Sequence, residues 1–180
     1  MRLIELVAHD PAWSELAERE AARMHEALRA VLLDVHHIGS TAIPGIVAKP
    51  IIDLIPVVSD LASLDAARAR IEALGYDWRG EFGIAGRRFC LRDDPNDGRR
   101  LVQAHFFADG DPQIERHIAF RDYLRANREV ALEYEALKVR LAAEYTSSLE
   151  YADAKTPWIR SVESAAINFY RATTRYSNSP

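Results

Sequence analysis

Apolar residues along the chain fall into blocks of helical spacing and blocks of extended spacing, and this alternation predicts an α/β protein. Trp13, Leu16, Ala17, Ala21, Met24, Leu28 and Leu32 recur at helical intervals behind Asp10-Pro11. Asp10 is placed to cap free N–H groups there, and Pro11 suits the first helical turn. Val35 to Ile38 reads as a short strand, Gly39-Ser40-Thr41 as a turn or helix start, and Pro44-Gly45 as a loop. Ile51 to Val58 is apolar almost throughout, the mark of a central strand covered on both faces. Ser59 is read as the cap of a helix whose core face is Leu61, Leu64, Ala67, Ile71 and Leu74, and Gly75 ends it. Tyr76 to Phe82, Gly86 to Arg92 and Arg100 to Phe107 read as strands extending the sheet in antiparallel fashion, with a turn cluster at Asp93 to Gly98.

From Asp111-Pro112 onward the spacing turns helical. Ile114, Ile118 and Leu124 line one helix, Val130 to Tyr145 form a second, and Thr156-Pro157 opens a third with Trp158, Ile159, Val162, Ala166, Phe169 and Tyr170. The tail after Arg175 is expected to fray. The 180 residues fit one domain, 1–180, of which 111–175 would be a helical part closing one side of a cleft.

Charge and cysteine content narrow the setting. A formal net charge of −4 argues against general binding to nucleic acid or a membrane surface. The opening MRLIELVAHD turns acidic too soon for a signal peptide, and no apolar run approaches the ~18 residues that span a bilayer. Cytoplasm is therefore the expected location. Cys90, the one cysteine, has no partner for a disulfide and reads as a small buried hydrophobe.

The chemistry concentrates between His36 and Ile55. A strand runs into Gly39-Ser40, a loop follows, and a second strand carries an acid. Gly39 lets a ligand approach the backbone, and Ser40 with the N–H groups after it suits a phosphate. Asp53 is a lone charge in an apolar strand. An unpaired buried carboxylate costs several kcal/mol, roughly, so Asp53 either sits at an accessible strand end, meets a cation, or pairs with Lys49 or an arginine. His36 and His37 point to opposite faces, and His37 is the one expected to face the cleft.

Further cations are candidates for holding phosphate oxygens. Arg87 and Arg88 can clamp them in bidentate fashion, or protect a strand edge together with Arg99 and Arg100. Glu81 could supply a further carboxylate. Arg121 and Arg125 are i,i+4 neighbours that present two positive charges on one face. Tyr134 and Lys138 share the same spacing and could stack a base and hold a phosphate; the alternative is a structural network with Asp122, Glu133 and Glu135. Neither a nucleophile elbow nor the Gly-Lys-Ser/Thr ending of a P-loop is present.

His37-Ile38-Gly39-Ser40-Thr41-Ala42-Ile43-Pro44-Gly45 and Ala48-Lys49-Pro50-Ile51-Ile52-Asp53 resemble the signature of the GrpB family. Later blocks agree, among them Gly86-Arg87-Arg88-Phe89, Phe120-Arg121-Asp122-Tyr123-Leu124-Arg125, Tyr134-Glu135-Ala136-Leu137-Lys138 and Lys155-Thr156. The resemblance implies a nucleotidyltransferase-like mixed sheet flanked by helices, and a relation to domains fused to dephospho-CoA kinase. It implies a transferase acting on a nucleoside triphosphate and an acceptor, or else a non-catalytic protein that binds a nucleotide or coenzyme-A-related ligand. Phosphates would sit at Gly39, Ser40 and Thr41, with Lys49, Arg88, Arg121, Tyr134 and Lys138 around them. Asp53 would hold a divalent metal such as Mg²⁺, with His105 as a second ligand. This sequence departs from the pattern twice: Ile55 stands where a second acid would fall, and Gln103 where family members carry a histidine two residues before His105.

Overall fold

The computed structural model describes residues 4–177, with side chains to Arg175. Its centre is a mixed five-stranded sheet in the order β1-β2-β5-β4-β3, built from β1 (Leu32–Ile38), β2 (Ile52–Val58), β3 (Asp77–Trp78), β4 (Arg88–Asp93) and β5 (Arg100–Ala108). β2 runs antiparallel to β1 and parallel to β5, while β4 is antiparallel to β5 and to β3. No helix among the described residues is long and apolar enough to cross a membrane.

Strand alternation divides the sheet into two faces with different fates. Ile52, Leu54, Val58, Val102, Ala104, Phe106 and Cys90 bury one face against α1 (Ala12–Leu28), α2 (Leu61–Ala66) and α3 (Arg68–Ala73), whose Trp13, Met24, Leu28, Leu64 and Ile71 complete the main core. Cys90 is fully buried there, and burial pushes its thiol up to about 12, which suits packing and not reactivity. The other face carries Asp53, Ile55 and Val57 of β2 beside Gln103, His105 and Phe107 of β5. Three helices cover parts of it: α4 (Pro112–Ala126), α5 (Arg128–Glu144) and α6 (Ser148–Ser177). Ile38, Ile55, Val57 and Phe107 close under Ile114 of α4. Ile43 and Ile46, in the loop after β1, pack with Leu124, Tyr134, Leu137 and Tyr151 of the three helices.

The departures from the sequence pattern have local causes. Asp10 accepts a hydrogen bond from the Ala12 N–H at 2.9 Å, but Pro11 takes the cap position without a side-chain cap, α1 stops at Leu28 and Leu32 belongs to β1. Leu16 stands exposed although it keeps the helical period. Asp60, not Ser59, caps α2, accepting from the Ser63 N–H at 2.7 Å. Tyr76 to Phe82 yields only the two-residue β3, because Gly80, Gly83 and Gly86 take positive φ and turn the chain out of the sheet. The last helix begins at Ser148 and runs through Pro157. Its tail remains helical to Ser177; residues 178–180 and Met1-Arg2-Leu3 lie outside the described residues.

Candidate functional site

The cleft forms where β1 ends beside β2. Gly39 adopts φ +71° and ψ −170°, a region essentially restricted to glycine, and then the chain enters a single 3-10 turn, Ser40–Ala42. The conformation also serves packing: a Cβ at Gly39 would lie 2.6 Å from Asp53 Oδ2. Ile38 pairs with Asp53 across the sheet, so the Gly39-Ser40 turn and the Asp53 carboxylate are neighbours on the same face.

Asp53 opens into a pocket of about 130 Å³ lined by Ser40, Thr41, Lys49, Gln103, Lys138, Tyr151 and Lys155, among others. Its carboxyl is the one carboxylate in that lining, facing three lysines. Lys49 donates to Ser148 Oγ at 3.0 Å, and Lys155 lies over the Tyr151 ring at 4.5 Å. Burial holds all three ammonium groups below the usual lysine range. The nearby Lys155 charge lowers Lys49 and Lys138 further, and Asp53 opposes the shift at Lys49 and Lys155. Lys138 reaches about 7. Like charges gathered this closely repel each other, and an anion placed among them would relieve that repulsion.

The loop that forms the pocket wall is held from behind. Arg121 donates to the His37 carbonyl at 2.9 Å, Arg125 to the Ala42 carbonyl at 2.7 Å, and Arg128 to the Gly45 carbonyl at 3.1 Å. Lys138 donates to the Val47 carbonyl, and the Val47 N–H donates to Glu135 at 3.3 Å. Arg121 also grips Asp122. The structure thus places Arg121 among the loop's supports and outside the pocket lining, while Lys138 both supports the loop and lines the pocket. Tyr134 is buried, stacks on Trp158 at 5.0 Å between ring centres and meets the Phe120 ring edge-on at 5.4 Å. It therefore has no free ring face to offer a base.

Strand parity decides the remaining candidates. His37 pairs with Leu54, so it faces the α1 side and not the cleft. Thr41 Oγ1 donates to the Ile51 carbonyl at 3.3 Å, so the His37 Nε2–H is left to donate to Thr41 Oγ1 at 2.9 Å. Burial holds His37 at about 4, consistent with that neutral form. Arg88 pairs with Phe106, again on the α1 side, and makes a two-pronged ion pair with Asp65 at 2.6 and 2.7 Å. Arg87 is the one turned to the cleft face: buried, it donates to the Glu81 and Phe82 carbonyls at 3.2 and 2.7 Å and reaches His105 Nδ1 at 3.2 Å. Glu81 itself accepts from the Gly86 N–H.

Because a guanidinium only donates, His105 Nδ1 must be the acceptor, and the neutral ring then carries its proton on Nε2. That nitrogen lies 4.0 Å from Asp53 Oδ1. His105 therefore presents N–H and not a lone pair toward Asp53. Ile55 is fully buried beneath α4, so it leaves no place beside Asp53 for a second acid. Among the described residues no group of three or more His, Cys, Asp or Glu side chains is arranged to hold a metal ion. A two-metal centre needs several carboxylates, and this donor set does not fit one.

Ser148, Tyr151 and Lys155 also line the pocket; of these the sequence pattern marks only Lys155, in the block Lys155-Thr156, and gives it no place in the cleft. They occupy i, i+3 and i+7 of one helical face, which a helix start at Thr156-Pro157 leaves unassigned.

A family model described as GrpB protein matches residues 3–165. The UPF0157 protein YqkA of Bacillus subtilis (strain 168) is 37% identical over 166 residues, covering 92% of this chain and 48% of YqkA. The chain thus spans about half the length of that relative. A dephospho-CoA kinase of Mycolicibacterium paratuberculosis is 28% identical over an alignment that covers 87% of this chain and 44% of the kinase. Among solved structures, the conserved protein GrpB from Enterococcus faecalis superposes with a TM-score of 0.84 at 36% identity, over 92% of this chain and 99% of that one. Cid1 poly(U) polymerase with MgGTP bound superposes with a TM-score of 0.51 at 10% identity, over 74% of this chain and 43% of Cid1, a likeness of fold alone. The fold is nucleotidyltransferase-like.

Proposed function

The chain belongs to the GrpB family, and on that premise we propose that its cleft binds a nucleotide, or a coenzyme of similar build, through the phosphates. The observation that carries this reading is the convergence of Lys49, Lys138 and Lys155 on one pocket beside Gly39 and Ser40. Lys49, Lys155 and a partly protonated Lys138, facing a single carboxylate, leave a net positive pocket in a chain of net charge −4. A phosphate there would accept from Lys49, Lys155 and the Ser40 hydroxyl, with Thr41 alongside. Lys138, bonded to Val47, contributes charge from the wall. Arg121 serves the same ligand indirectly, by fixing the loop.

Nucleotidyl transfer is the second reading, favoured by the contact of Gly39 with Asp53 in this fold. In that reaction an acceptor hydroxyl attacks the α-phosphorus, the bond to pyrophosphate breaks, and pyrophosphate leaves. Asp53 is the carboxylate in the pocket that would accept the proton lost by the attacking hydroxyl.

The test is thermal denaturation with nucleoside triphosphates and coenzyme A, followed by a search for released pyrophosphate. A ligand at 100 times its Kd stabilises by about 2.7 kcal/mol. Lys49→Met and Lys155→Met should remove the shift while leaving the unliganded protein folded. A panel without any shift would count against both readings.

A further inference from the structure

We propose that this cleft takes up its phosphate ligand without a divalent cation, the three lysines neutralising the phosphate charge and Asp53 serving as a hydrogen-bond acceptor. This rests on the phosphate-binding reading above and specifies which form of the ligand is bound.

Two of the positions that could add to a metal site around Asp53 are closed by visible contacts. Ile55 shares the sheet face of Asp53 but lies under α4, packed with Ile38, Val57, Phe107 and Ile114. His105 has its Nδ1 occupied by Arg87 and turns an N–H toward Asp53, so neither ring nitrogen offers a lone pair there. Arg87 is itself fixed by the Glu81 and Phe82 carbonyls, which makes the tautomer a property of the 79–86 loop and not of a mobile side chain. Gln103, across from Asp53 on β5, supplies a neutral amide. A magnesium ion held by one carboxylate and substrate phosphates would also have to sit among the three ammonium groups that line the same pocket. Cations repel one another in so small a space, and both kinds compete for the same phosphate oxygens.

Metal-free ATP therefore carries more charge into the pocket than Mg·ATP and keeps its oxygens available to lysine. Asp53 works against the anion, so neutralising it favours binding.

The experiment is isothermal titration of the whole chain with ATP and with inorganic pyrophosphate, in EDTA and again with Mg²⁺ in excess, using wild type, Asp53→Asn and Lys155→Met. Binding in EDTA, weakened several-fold by excess Mg²⁺ and tightened several-fold by Asp53→Asn, is the expected result. Lys155→Met should lose binding ten-fold or more at unchanged melting temperature; Lys49→Met stands in if that variant does not fold. Binding that requires Mg²⁺ and disappears in Asp53→Asn overturns the proposal while leaving the phosphate-binding reading intact. Absence of binding in EDTA and in Mg²⁺ alike overturns both.

Discussion

Gly39→Ala probes the contact on which the cleft is built. Gly39 sits at φ +71° and ψ −170°, where a residue with a Cβ is strained by about 1–3 kcal/mol. The new methyl would also lie 2.6 Å from Asp53 Oδ2, 3.1 Å from its Cβ and 3.2 Å from its Cγ. Relieving such overpacking costs a further ~1–3 kcal/mol. Together these should lower the melting temperature by roughly 5–20 °C at the 2–4 °C per kcal/mol usual for a chain of this size. Gly80→Ala is the control, since Gly80 has φ +64° but nothing within 4 Å of an added Cβ. It should show the backbone term alone, about 1–2 kcal/mol. Thermal and urea denaturation of both variants, and of Gly39→Ala in an Asp53→Ala background, separates the two causes. Removing the carboxylate should recover a good part of the Gly39→Ala loss. Equal losses at Gly39 and Gly80, with no recovery in the double variant, would refute the close approach of Gly39 to Asp53.

Other perturbations reach further into the fold. Burial holds His37 and His117 at about 4, below the ordinary 6.5, so the unfolded chain takes up protons first as pH falls. Stability should therefore drop between pH 6.5 and 4, and His117→Gln should flatten that slope in urea titrations; an unchanged slope would contradict the assignment. Lys138, held at about 7 against an ordinary 10.5, should make stability rise as pH climbs through that interval, and Lys138→Met should remove the rise. Glu20→Ala strands Arg92 and Tyr76, which donate to the buried carboxylate at 2.8 Å each, and should cost about 3–5 kcal/mol in chemical denaturation.

The sequence carried the order of elements well where apolar period and caps agreed, as in α1, the central β2 and the Asp111-capped α4, where Asp111 accepts from the Gln113 N–H at 2.8 Å. It misled where a local signal competes with tertiary packing. Pro157 is tolerated inside α6, so a helix start there hides the face shared by Ser148, Tyr151 and Lys155. At the cleft, the nearness of Gly39, Ser40 and Asp53 was legible because short connections and an antiparallel pair leave little freedom. The parity of β4 was not legible: a shift of one residue exchanges Arg87 for Arg88, and only the pairing of Phe89 with His105 fixes which arginine faces inward. The i,i+4 spacing of Arg121 and Arg125 correctly put two cations on one helical face. The carbonyls of the loop they hold lie more than eighty residues earlier in the chain, beyond the reach of any local pattern.

The decisive measurement is a crystal structure of the protein with a non-hydrolysable nucleoside triphosphate in metal-free buffer. Its phosphate oxygens should lie within hydrogen-bond distance of Lys49 Nζ, Lys155 Nζ and Ser40 Oγ, beside an Asp53 still in contact with Gly39. A nucleotide bound elsewhere, or seated on Asp53 through a metal ion with the lysines turned away, would contradict it.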